Sequence, residues 1–293
     1  MRGTRLQGIR ARRTVNVIKF PEMVQGVKEM YVLHNRGRRI ACVTGKGGMD
    51  EGRKTLVFVH GSGGSHLDWN YQRLFFQQAY NVVMVDLPGH GRAGGQGESS
   101  VEAYADHLLH VVRSLNCRVF CLFGHSLGGA IAQRFAISHG DLVQSLVLVG
   151  TGARLRVLPE ILNAVEERFE EAVARISQYA FSKKAPRDLV LRGMEAMLRE
   201  EPSVLLHDLK ACDRFDIMDR VREIGVPALV VTGREDRLTP PKYARYLAER
   251  IEGATMEIVE GAGHMVMLEQ PERFNLSASR FLEGVESGRE NET

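Results

Sequence analysis

The chain is poor in residues that make covalent or metal crosslinks. It has four cysteines in 293 residues, Cys42, Cys117, Cys121 and Cys212, and no CxxC pair. Cys42 and Cys121 stand in apolar, strand-like runs. They read as small buried hydrophobes of a reducing compartment, which argues against a disulfide framework or a zinc site. No window approaches the roughly 18 apolar residues of a membrane span. The start lacks the apolar core of a signal peptide, so the expected location is cytoplasmic. No internal repeat or low-complexity tract is present.

Acid is missing from the first twenty residues. Arg2, Arg5, Arg10, Arg12, Arg13 and Lys19 give that stretch +6, so against +3 overall the remainder of the chain is net −3. The basic balance belongs to a leader, residues 1–20, and not to the fold. Such a leader can touch nucleic acid, an anionic membrane or an acidic partner. The expectation here is a solvated tail and no nucleic-acid partner. The opposite end, residues 284–293, is charged and expected to fray.

What is present is a chain 44% hydrophobic and 26% charged. That is ordinary for a globular protein and enough for one sizeable core with a modest second unit. Val27 to Leu33 and Arg39 to Thr44 read as an antiparallel hairpin turning at Asn35-Arg36-Gly37. Apolar runs at 55–59, 82–85, 119–123, 143–149, 228–233 and 255–259 read as buried strands, and helix-period stretches separate them. This order indicates a mostly parallel sheet covered by helices on both faces. After Gly150-Thr151-Gly152, some sixty residues hold no strand. Their apolar positions recur at helix spacing, so they form a helical block inserted between two strands.

The most informative stretch is Val119-Phe120-Cys121-Leu122-Phe123-Gly124-His125-Ser126-Leu127-Gly128-Gly129-Ala130. It reads as a strand, a very tight turn and a helix, with a serine at the turn. Small neighbours let such a corner form, and the hydroxyl then stands at the carboxyl end of the sheet. Working residues of doubly wound sheets gather at that edge. Four loops bring polar groups there: His60-Gly61-Ser62-Gly63, Gly124-His125-Ser126, Asp236 and His264. A neutral serine needs a base, and the base needs an orienting group. The assignment is Ser126 as nucleophile, His264 as general base and then acid, and Asp236 as orienter, with Glu235 its rival. Backbone donors for a developing oxyanion are Leu127 N–H and Ser62 N–H, with Gly63 N–H as the alternative. His60 is read as a brace for its loop, and His125 as packing beside the nucleophile. Asp86-Leu87-Pro88-Gly89-His90-Gly91 reads as a structural corner. Trp69 either walls the pocket or packs a helix on the sheet. A phosphate-binding loop is excluded, because no Gly-Lys-Ser/Thr follows the glycines.

Taken together, Phe58 to Gly63, Asp86 to Gly91, Gly124 to Gly129, Gly233 to Asp236 with Leu238 and Pro240, and Gly263-His264 resemble the α/β-hydrolase superfamily. The likeness is to its lidded esterase, lipase-like and carbon–carbon hydrolase branch. The resemblance implies a mostly parallel eight-stranded sheet and a helical cap at residues 152–212, inserted between core segments 27–151 and 213–283. It implies no metal and no organic cofactor. Serine at the turn argues against the family's dehalogenases and epoxide hydrolases, which use aspartate there.

Three functions fit. The first is a serine hydrolase cleaving a small carboxylic ester through an acyl-enzyme. The second keeps the triad and hydrolyses a carbon–carbon bond of a ring-fission diketone. The third is a non-catalytic ligand-binding protein, against which the intact Ser126, Asp236 and His264 argue. The apolar cap suggests a small-molecule substrate with a partly apolar acyl or ring group.

Overall fold

Nearly continuous apolar runs, with no alternation to mark a wet face, become the buried centre of one sheet. The structure, a computed structural model, describes residues 18–20, 30–45 and 49–290. The buried strands are β4 (Thr55–Val59), β5 (Asn81–Asp86), β6 (Phe120–His125), β7 (Val143–Val149) and β8 (Ala228–Gly233). β9 (Thr255–Val259) closes one edge. At the other edge β2 (Met30–Asn35) and β3 (Arg38–Thr44) form the expected hairpin. Its two turn residues, Arg36 and Gly37, both take positive φ. The order is β2-β3-β5-β4-β6-β7-β8-β9. β5 through β9 run parallel, and β3 joins them antiparallel. This is the eight-stranded, mostly parallel sheet that the sequence predicts.

One strand was not expected. β1 (Ile18–Phe20) extends the sheet to nine, pairing antiparallel with β2. The last three residues of the basic leader therefore belong to the fold and are no solvated tail. Ile18-Lys19-Phe20 alternates apolar and charged, which suits an edge strand. Residues 1–17, and 27–29 of the expected first strand, lie outside the described residues.

The helices are α1 (Asn70–Phe76), α2 (Val101–Ser114), α3 (Leu127–Ser138), α4 (Pro159–Glu167), α5 (Phe169–Ala180), α6 (Arg187–Leu198), α7 (Pro202–Arg214), α8 (Pro241–Ala248), α9 (Val266–Glu269) and α10 (Pro271–Glu290). α4 to α7 are the inserted block and lie over the carboxyl end of the sheet. The rest cover its two faces. Val57 and Leu122 pack with Phe135 of α3 and Leu247 of α8 on one side. Phe58 and Phe123 pack with Trp69, Phe76 and Phe274 on the other.

Two helix ends have particular causes. The chain end does not fray where expected: α10 continues through Glu290. Buried Leu282 anchors it, and Glu286 meets Lys54 at 3.0 Å. The helical segment that the strand order requires between β4 and β5, for which the sequence suggests no bounds, begins at His66. Its start is a capping box, in which the Ser65 hydroxyl accepts from Leu67 N–H and Asp68 accepts from Ser65 N–H.

Trp69 ends that first turn, and its role is packing. It is fully buried, with its ring centroid 5.2 Å from Phe58 and 6.1 Å from Phe274. Trp69→Ala is therefore expected to lower unfolding free energy by about 3–5 kcal/mol, the usual loss for a large aromatic core residue. Chemical denaturation checks this. An unchanged stability with an altered acyl-length preference would make it a pocket wall instead.

Candidate active site

Ser126 stands between β6 and α3 with φ 52° and ψ −114°. This backbone state costs roughly 1–3 kcal/mol for a residue with a side chain, and it persists only when its neighbours over-determine it. Here they do. Ser126 N–H donates to Val149 O at 2.9 Å, and Ser126 O accepts from the Thr151 hydroxyl at 2.9 Å and Ala130 N–H at 3.1 Å. The flanking glycines are required by contact. A Cβ on Gly124 would lie 2.3 Å from Gly128 O, and one on Gly128 would lie 2.3 Å from Val59 O. Strand, turn and helix touch backbone to backbone.

His264 and Asp236 come from the loops after β9 and β8. His264 Nδ1 donates to Asp236 Oδ2 at 2.9 Å, and both side chains are buried. Asp236 also accepts from Leu238 N–H at 2.9 Å, Thr239 N–H at 2.8 Å and the Thr239 hydroxyl at 2.8 Å. Four donors hold this carboxylate in one orientation. Glu235 points elsewhere and accepts from Lys183 N–H at 3.3 Å. His264 N–H donates to Ala180 O at 2.7 Å, which ties its loop to the end of α5. With Nδ1 engaged by Asp236, the free lone pair of His264 is on Nε2. Ser126 and His264 line one cavity of about 320 Å³. Its apolar lining comes mostly from the inserted helices, including Ile161, Ile176, Met197, Leu205 and Leu209.

The loop after β4 forms the opposite wall. His60 sits beneath it, fully buried. Its Nδ1 donates to Gly61 O at 2.8 Å and its Nε2 accepts from Leu87 N–H at 3.1 Å. Gly64 N–H turns back to Gly61 O at 3.2 Å. Gly63 N–H donates to Asp208 Oδ2 at 3.0 Å, so the alternative oxyanion donor is already committed. Ser62 N–H donates to no described residue. Leu127, first residue of α3, has the orphan N–H of any helix start. The Ser62 hydroxyl lies 3.6 Å from Cys212 Sγ. His125 is buried beside Ser126, and its Nε2 donates to His264 O at 3.1 Å.

Three carboxylates here were not singled out from the sequence. Asp208 lies on α7, fully buried within an apolar helix stripe. A lone acid on such a stripe, between Leu205 and Cys212, was the signal available. Glu269 accepts from Gly263 N–H and Ser182 N–H, both at 2.8 Å, and so joins the His264 loop to the inserted block. Asp68 lines the cavity, and burial pushes its carboxyl up to about 6. Among the described residues, no cluster of three or more His, Cys, Asp or Glu could hold a metal ion, and no helix is long and apolar enough to cross a membrane.

The comparisons agree with this architecture. The alpha/beta hydrolase family matches residues 56–276, and the chain belongs to it. It is 30% identical over 253 residues to the 2-hydroxy-6-oxononadienedioate/2-hydroxy-6-oxononatrienedioate hydrolase of Burkholderia vietnamiensis, covering 79% of this chain and 88% of that one. It is 28% identical over 251 residues to the pimeloyl-(acyl-carrier protein) methyl ester esterase of Neisseria meningitidis serogroup A, covering 81% and 79%. A solved structure of a thermophilic esterase superposes with a TM-score of 0.76 at 34% identity, covering 88% of this chain and 98% of that one. The protein is thus a hydrolase of the α/β fold with esterases among its relatives.

The buried histidines contribute to the pH response of stability, and with opposite signs. Burial pushes His60 down to about 4 and His125 well below its ordinary value. Burial also pulls His90 down, but the Asp208 carboxylate at 2.8 Å overrides it and raises His90 to about 9. The unfolded chain takes up the His60 and His125 protons as pH falls below about 6.5, so stability is lost towards pH 4. His90 acts oppositely. Its contribution is complete below about 6.5 and is lost as pH rises through 9, by at most about 3 kcal/mol. Denaturant titrations from pH 4 to 9.5 are expected to give a maximum near 6.5, with His90→Gln flattening only the alkaline limb. A flat alkaline limb in the parent would mean that His90 is uncharged.

Proposed function

We propose that this protein is a serine hydrolase that cleaves a small carboxylic ester by acyl transfer, with Ser126, His264 and Asp236 as its triad. The observation that carries this reading is the buried hydrogen bond from His264 Nδ1 to Asp236 Oδ2 at 2.9 Å, on the wall of the same cavity that holds the strained Ser126 corner. It leaves His264 Nε2 as a base facing the cavity.

The steps follow from that geometry. Ser126 Oγ attacks the ester carbonyl carbon while His264 Nε2 takes its proton. The carbonyl oxygen becomes an oxyanion, held by Ser62 N–H and Leu127 N–H. These donors are already oriented and need little rearrangement. The tetrahedral intermediate collapses, and His264 returns the proton to the departing alkoxide. Water then attacks the acyl-enzyme, with His264 again as base, and the acid leaves. Asp236 keeps the imidazole in the productive tautomer and stabilises the imidazolium.

A cavity of about 320 Å³ with an apolar lining supports a small substrate with a partly apolar acyl or ring group. That lining comes from the cap, which we take as residues 152–212. The Burkholderia relative keeps a second reading in play, the hydrolysis of a carbon–carbon bond beside a ketone, because the same three groups serve both reactions.

Initial rates on p-nitrophenyl esters of rising acyl length, a lactone and a ring-fission dienone separate the two. Ester turnover that disappears in Ser126→Ala is the expected result. Dienone turnover with flat ester rates would favour carbon–carbon hydrolysis. Failure of a fluorophosphonate to label the parent would leave a ligand-binding role. Asp236→Asn is expected to lower kcat by roughly 10⁴, as in serine proteases. A loss below about tenfold would move the orienting role to another acid.

A further inference from the structure

Asp208 has no part in the acyl-transfer steps above, yet it is buried where they take place. It projects from α7 of the cap and is fully buried. Its Oδ2 accepts from Gly63 N–H at 3.0 Å and from His90 Nε2 at 2.8 Å. Its Oδ1 accepts from the Tyr104 hydroxyl at 2.5 Å. Tyr104 in turn accepts from Glu98 N–H at 2.8 Å. One carboxylate thus joins the cap, the loop after β4, the corner after β5 and helix α2.

The loop it holds is the one that presents Ser62 N–H. Gly63 has φ +63°, and a Cβ there would lie 2.9 Å from Met197 Cγ and 3.2 Å from Leu205 Cδ1, both on the cap. The peptide before Gly63 is therefore pinned from above by Asp208 and confined by cap side chains. The 61–62 peptide is held from below, because its carbonyl oxygen, Gly61 O, accepts from His60 Nδ1 at 2.8 Å and from Gly64 N–H at 3.2 Å. The other end of that same peptide is Ser62 N–H, which has no described acceptor. Cys212, one turn along the same face of α7, reaches the Ser62 hydroxyl. With the 61–62 plane pinned at Gly61 O and the 62–63 plane pinned at Gly63 N–H, the torsions of Ser62 between them are held, and Ser62 N–H has little freedom to turn.

We infer that Asp208 is a positioning residue: from the cap, it holds Gly63 N–H and thereby aims Ser62 N–H at the oxyanion that forms on attack by Ser126. The inference rests on the serine-hydrolase reading. His90 is its counter-charge, and His90 stays protonated because Asp208 faces it. The cap is then part of the oxyanion site as well as a wall for the acyl group.

The test compares the parent with Asp208→Asn, Asp208→Ala and the double variant His90→Leu/Asp208→Leu. The double variant removes the pair together and leaves no orphaned charge in the interior. Readouts are kcat and KM on a p-nitrophenyl ester and the rate of phosphonylation by a fluorophosphonate, with Ser126→Ala as blank. Asp208→Ala and the double variant are each expected to lose about 10²-fold in kcat and in phosphonylation rate, the scale of one lost oxyanion donor, with KM within about threefold. Asp208→Asn keeps an acceptor for Gly63 and is expected to lose only about threefold to tenfold in kcat. A merely structural role would lower melting temperature and leave this split unmade. Parent-like kcat in the folded double variant, or a loss confined to KM, overturns the inference. Should neither larger variant fold, Asp208→Asn decides alone, and unchanged kcat there overturns it. If the parent itself resists phosphonylation, the serine-hydrolase reading fails. If the parent is labelled and every variant matches it, only the role of Asp208 fails.

Discussion

The structure depends on a backbone contact. Helix α3 starts so close to the ends of β4 and β6 that no Cβ fits at Gly124 or Gly128. That approach forces the chain between strand and helix into the positive φ of Ser126. It also brings the end of β4 alongside, so that a Cβ on Gly61 would lie 3.1 Å from the Cβ of Ser126. Ser126 and the loop after β4 are thus neighbours because two glycines let a helix touch a sheet. The strain is stored where the proposed reaction needs a hydroxyl standing clear of its own helix, and the pairing of Ser126 N–H with Val149 O keeps it from relaxing.

A second constraint is charge. His60 and His90 are both buried, with ring centroids 4.9 Å apart. Two cations at that distance in a poorly solvated interior would repel strongly. The chain resolves this with one carboxylate. Asp208 faces His90, which is held up at about 9, while His60 falls to about 4 and stays neutral. Neutral His60 can then accept from Leu87 N–H and donate to Gly61 O, which its loop needs. Burial keeps His60 neutral and the His90 cation adds to that, while Asp208 outweighs burial at His90.

Much of this was legible in the sequence, and the reasons are physical. Continuous apolar runs such as Thr55-Leu56-Val57-Phe58-Val59 allow only a buried strand, and the strand spans matched to within a residue or two. The glycines around Ser126 carry the steric requirement openly, and the chain order of Ser126, Asp236 and His264 placed them at one sheet edge. What escaped depended on tertiary partners. Ile18 to Phe20 form a strand only because β2 offers an unpaired edge. The end of α10 is kept by Lys54, far away in sequence. Asp208 and Glu269 are single acids in helical stretches. The apolar stripe around Asp208 marks it as buried, but what either acid holds is decided by loops far away in sequence. Gly63 N–H seemed free for an oxyanion for the same reason, since its acceptor lies on a helix 145 residues on.

Asp208 and Glu269 also decide how the cap relates to the core. One fastens α7 to the loop beside Ser126. The other, with the His264 N–H to Ala180 O bond, fastens the end of α5 to the histidine loop. The cap is therefore pinned on both sides of the cleft, each pin buried or half-buried and each acting on a loop of the site. A substitution that shifts either pin shifts a loop of the proposed site with it. Side chains that line the cavity without touching a pin, such as Ile161 and Ile176, are free of that coupling. In this arrangement the cavity can be reshaped at those positions, while the geometry of Ser126, His264 and the loop after β4 stays with the pins.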